Sequence, residues 1–70
     1  MSHLTTRYKI VFVPVILDEN DKVIDTGDFY GQEAEAIRES YKMLTARIEL
    51  AEYKKFYSAR IEKRIVPIYK

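Results

Sequence analysis

The stretch YKIVFVPVIL, Tyr8 to Leu17, decides how this chain folds. Both of its alternating sets are apolar: Tyr8, Ile10, Phe12, Pro14 and Ile16 make one, and Val11, Val13, Val15 and Leu17 the other. A strand with one wet face alternates apolar with polar residues, and a strand covered on both faces does not. The stretch is therefore expected to be the innermost strand of a small sheet. It is far too short to cross a bilayer as a helix.

Immediately after it, Asp18-Glu19-Asn20-Asp21 is a run of turn formers, because Asp and Asn side chains bond their own backbone and Asn tolerates a left-handed conformation. Lys22 to Thr26 then returns as a second strand, making a hairpin. Asp18 and Asn20 sit two apart, as calcium ligands do, but Lys22, Val23 and Phe29 occupy the places where such a loop needs an oxygen ligand, a glycine and a distal glutamate. A metal site is not expected there.

Gly27, Asp28 and Gly31 break the pattern, and a helix is expected from about Gln32 to Lys54. Ala34, Ile37, Tyr41, Leu44, Ile48 and Ala51 recur at spacings of three and four, which gathers them into one apolar stripe. At 1.5 Å per residue such a helix is about 33 Å long, close to the reach of the opening strand. Tyr57 to Tyr69 reads as a third strand. The helix returns the chain so that this strand lies antiparallel to the first.

The expected fold is thus α+β: a two-layer ββαβ unit, an antiparallel three-stranded sheet of order 2-1-3 covered by one long helix. Residues 1–70 form one domain, with 1–6 a frayed polar lead-in. Pro14 fits awkwardly, since proline lacks the amide hydrogen a central strand uses. Either a bulge lies there or a flanking strand covers only half of the first. Pro67 points to an open edge on the last strand.

One helix covers one face, yet the first strand is apolar on both. The surplus is expected to be buried by a second copy, with Val11, Val13, Val15, Ile65 and Ile68 the self-association candidates. The heptad-like helix stripe offers a second route, helix against helix.

Composition narrows the function. Twelve Lys and Arg balance eleven Asp and Glu, and there is no cysteine, so neither disulfides nor a Cys-based zinc site can staple the fold. A domain this small commonly gains stability by oligomerising. Met1 to Lys9 lacks the apolar run of a secretion signal, and the expected compartment is the cytoplasm. Charge is uneven: residues 18–39 carry eight acids against two bases, and residues 42–70 eight bases against three acids. Acidic first turns and basic last turns of a helix account for part of this.

Chemistry has little to work with. The single histidine, His3, lies in the lead-in, and two glycines cannot build a phosphate loop. The aspartates cluster in and after a turn, where aspartate is common for backbone reasons. No catalytic residue, metal or cofactor is expected.

Two binding readings remain. Residues 53–64 interleave aromatics with bases, the arrangement that holds single-stranded nucleic acid, with Lys54, Lys55, Phe56, Tyr57, Arg60, Lys63 and Arg64 as candidates. The other reading, ranked first, is a protein-binding module. Six tyrosines in 70 residues supply large, stiff, amphipathic contact surface, and Tyr30, Tyr53, Tyr57 and Tyr69 flank the elements as candidate anchors. In size and composition the chain is similar to small proteins of phages and other mobile elements, many of which bind and block a larger protein. That resemblance implies an inhibitor or accessory role and assigns no residue.

Overall fold

The computed structural model describes residues 7–50 and 56–68. It contains strand β1 (Arg7–Leu17), strand β2 (Val23–Thr26), helix α1 (Glu33–Leu50) and strand β3 (Ser58–Ile68). The sheet is antiparallel, of order β2-β1-β3, with β1 in the centre, as the doubly apolar stretch requires.

β1 and β3 pair along their whole length without a slip, from Arg7 opposite Ile68 to Leu17 opposite Ser58. β2 is short and irregular. It opposes Val15, Ile16 and Leu17 only, and a register shift between Ile16 and Leu17 leaves Ile24 unopposed. Asp18 shapes the connecting turn: its Oδ1 accepts from the amides of Asn20 (2.8 Å) and Lys22 (2.9 Å). The left-handed residue is Asp21, at φ 60°, and not the neighbouring asparagine. The carboxylate that had a faint calcium look thus serves the backbone.

Pro14 is accommodated on the β2 side. Phe12 donates to and accepts from Tyr30 at 2.8 and 2.9 Å, so the even-numbered residues of β1 turn their backbone groups toward β2. Proline's missing donor falls where β2 has already left the ladder. Only the Pro14 carbonyl is used, accepting from the Gly27 amide at 2.8 Å. Both sequence alternatives hold together: the flanking strand is partial, and Asp28 and Phe29 loop out before Tyr30 rejoins at Phe12. Gly27 must be glycine, because a Cβ there would lie 2.7 Å from Pro14 Cγ and 3.0 Å from Met43 Sδ.

Those contacts also place the helix. Directly opposed residues share a face of the sheet, so Asp25 lies on the face of Ile16, its partner. Arg47 of α1 meets the Asp25 carboxylate at 3.5 Å, and Met43 lies close to Pro14. α1 therefore covers the face of Phe12, Pro14 and Ile16, packing over β1 and β3. Ala36 and Ser40 are the helix residues that become buried. Their small side chains admit close approach, and Ser40 Oγ donates to the Ile37 carbonyl at 2.6 Å.

The helix starts where expected, and its expected end near Lys54 lies outside the described residues. The described 18 residues span about 27 Å, and the 11 residues of β1 about 36 Å. The strand outruns the helix at its Arg7 end, because α1 begins just after Tyr30, which rejoins β1 at Phe12. Val11 and Val13 to Leu17 are buried, while Arg7 to Ile10 and their partners Ile65, Pro67 and Ile68 stand exposed past the helix. β1 and β3 thus end in a two-stranded arm.

Candidate functional site

The arm is a described surface with no evident structural use. On the helix-side face it carries Tyr8, Ile10, Ile65 and Pro67, with Tyr8 63% and Ile65 69% exposed. Monomeric proteins scatter exposed apolar residues singly, and contiguous ones mark contact surfaces. Sequence reading singled out Ile65 and Ile68 here but passed over Tyr8 and Ile10, which it placed in the core. The signal was available in the polar Arg7 and Lys9 that alternate with them.

The valine face behaves differently. Val13 and Val15 are fully buried and Val11 nearly so, within the single chain. These three self-association candidates consequently present no surface to a second copy, a correction to the expectation above. Beside them on the same face, Arg64, Glu62 and Arg60 of β3 oppose Val11, Val13 and Val15 in turn. Glu62 accepts from Arg64 at 2.7 Å and from Arg60 at 3.3 Å, so the two guanidiniums clasp one carboxylate while their alkyl stems flank the valines. The Arg64 hydrogen bond, more than Arg60, holds the Glu62 carboxyl below its ordinary pKa, against a smaller opposing effect of desolvation. Strand alternation of R-E-R at 60, 62 and 64 was the readable sign of this ladder.

Among the described residues, the basic candidates for nucleic acid do not gather. Arg60 and Arg64 lie on the valine face, bonded to Glu62, and Lys63 lies on the helix-side face opposite Phe12. Phe56 is exposed, and Tyr57, half-buried, lines a recess of about 160 Å³ with Asp18, Glu19, Ile24 and Phe56. Ligand pockets usually hold about 300–1,000 Å³. Lys54 and Lys55, and the candidate anchors Tyr53 and Tyr69, lie outside the described residues. Among the described residues, no three histidine or carboxylate side chains group as metal ligands do.

Tyr30 is half-buried beside β1. Partial desolvation and then the charges of Glu39, Asp28 and Glu35 raise its phenol pKa above the ordinary value. Met43 and Arg47, which reach Gly27 and Asp25, mark the side of α1 toward β2, and Glu35 and Glu39 lie on that flank. One residue turns the helix by about 100°. The apolar stripe of Ile37, Tyr41, Leu44 and Ile48 consequently lies on the opposite flank, overhanging the outer edge of β3. It does not face the sheet as a buried stripe would: Tyr41 is 65% exposed, and Ile37 and Ile48 are exposed too. The sheet instead takes Ala36 and Ser40, about a quarter-turn away, because small residues let a helix lie close over a central strand.

The same parity exposes β3's outer edge. Odd-numbered residues of β1 turn their backbone groups toward β3, so Arg60, Glu62 and Arg64 are the β3 residues that answer them. Ala59, Ile61, Lys63 and Ile65 turn theirs outward, and so does Pro67, whose missing donor costs the ladder nothing. Among the described helices none is long and apolar enough to cross a membrane. Comparison with known proteins gives no match: no family model, no curated protein and no solved structure corresponds to this chain.

Proposed function

We propose that the chain is a non-enzymatic protein-binding module that works as a homodimer, in an inhibitory or accessory role toward a larger protein. The observation that carries this reading is the arm, where Tyr8 and Ile10 are held rigidly on paired strands and left in water. Tyrosine on a stiff backbone gives contact area at small entropic cost, which is what an interface anchor needs. Tyr30 and Tyr57 are partly packed, so Tyr8 takes the anchor role expected of them. The division of the bases between two faces, with two of them engaged by Glu62, weighs against the nucleic-acid alternative.

The test uses immobilised protein in nuclease-treated lysate, with wild type beside Tyr8→Ser and Ile10→Ser. The expected result is a protein retained by the wild type and lost by both variants, each showing unchanged circular dichroism. Retention that vanishes on nuclease treatment would return the reading to nucleic acid. Equal retention by all three chains removes the arm from the site.

A further inference from the structure

We infer that two copies join edge to edge through β3, making one six-stranded antiparallel sheet with both helices on the same face. This deepens the homodimer part of the reading above and rests on it. β3 offers an outer edge on which the amides of Ala59, Ile61 and Lys63 point away from β1. Antiparallel pairing of two identical strands has a two-fold axis perpendicular to the sheet, so it closes as a dimer.

Charge selects the register. With the axis at Ile61, Arg60 opposes the partner's Glu62, and the reverse pair forms by symmetry. Ala59 then opposes the partner's Lys63. Moving the axis to Lys63 would set two lysines face to face, and moving it to Glu62 would oppose two glutamates, both unfavourable. At the Ile61 register, Ile65 falls beside the partner's Tyr57, covering the most exposed isoleucine of the arm.

The helices agree independently. α1 lies over β1 and β3, and strands are about 4.8 Å apart, so two such helices flanking a new β3–β3 seam stand about 10 Å apart, the spacing of packed helices. The stripe overhangs that seam. Ile61 pairs with Pro14, and Pro14 lies beside Met43, so the axis passes level with residue 43 of the helix. The stripe from Ile37 to Ile48 is centred between Tyr41 and Leu44. One axis therefore satisfies the strand edge, the charge ladder and the helix stripe.

The experiment combines light scattering with amide hydrogen exchange on the wild type and three variants. Expected are a dimer at micromolar concentration and protected amides at Ala59, Ile61 and Lys63 that exchange faster on dilution. Lys63→Pro removes an outward-facing donor together with the lysine charge, leaves the bonds to β1 in place, and should weaken dimerisation about tenfold or more. Arg60→Glu should weaken it too, and Arg64→Glu, which opposes the partner's Ser58, should not. A wild type that stays monomeric overturns both this proposal and the homodimer reading. A dimer whose β3 amides exchange freely, or that is untouched by Lys63→Pro, overturns the proposal alone. If a variant fails to fold, exchange on the wild type decides.

Discussion

The two ends of β1 belong to one unbroken strand and meet opposite fates. From Val11 to Leu17 the strand is covered on both faces, and Val13 and Val15 have no exposed surface. From Arg7 to Ile10 it keeps a full partner in β3 but no helix, and every residue is exposed. Both ends pair fully with β3, and the covered end also bonds β2, Gly27 and Tyr30. The larger difference is side-chain burial, worth roughly 1.5–3 kcal/mol for each fully covered aliphatic. One end therefore holds the fold, and the other is free to be a contact surface.

The sharpest way to break this contrast is to place the same charge at each end. Val13→Asp strands a carboxylate among valines and should cost several kcal/mol, enough to unfold so small a domain. Ile10→Asp should cost about 1 kcal/mol or less and leave the fold intact. Urea denaturation of the two variants compares them directly. Comparable losses would mean that the arm is as much core as the covered end.

A smaller effect is expected within the covered end. Gly27→Ala forces a methyl against Pro14 and Met43 and should cost about 1–3 kcal/mol by overpacking. In a Pro14→Ala background the loss should shrink, since the ring that blocks the methyl is gone. A double-mutant cycle measures that coupling. Independent, additive losses would show that the ring is not what demands glycine.

The smallest effect concerns acid. The folded state holds the Glu62 carboxyl below its ordinary pKa, so the ladder's contribution is present above the unfolded carboxylate pKa and fades as pH falls through the folded one. Thermal unfolding of wild type and Glu62→Gln should therefore converge in strong acid and differ modestly near neutrality. A gap that persists unchanged in acid would sink this account.

The sheet order, the hairpin and the single helix were legible because each rests on local signals: a doubly apolar strand, a turn of Asp and Asn, and a 3-4 spacing. The arm was not, because it depends on where the helix starts and stops relative to the strand. The helix start was legible to within one residue, at Gln32 against Glu33, but periodicity does not say where along β1 that start lies. The stripe was read correctly as one apolar side of the helix but assigned no direction, and periodicity cannot tell a side turned to the sheet from a flank that overhangs its edge. Pro14 was the most informative conflict. A residue that suits a central strand badly marked the place where the neighbouring strand leaves it.

The unbroken pairing of β1 with β3 also sets a delay. Leu17 opposes Ser58, and Arg7 opposes Ile68, so even the nearest partners are 41 residues apart along the chain. At about 5–20 residues per second, synthesis leaves β1 without its longest neighbour for roughly 2–8 s. In that interval β2 and α1 can dock, but the β3-facing edge of the most apolar strand is bare. Non-local pairings of this kind fold slowly and invite association while they wait. A nascent chain is thus most vulnerable to holdase capture or aggregation after the helix is made and before Ser58 to Ile68 arrive.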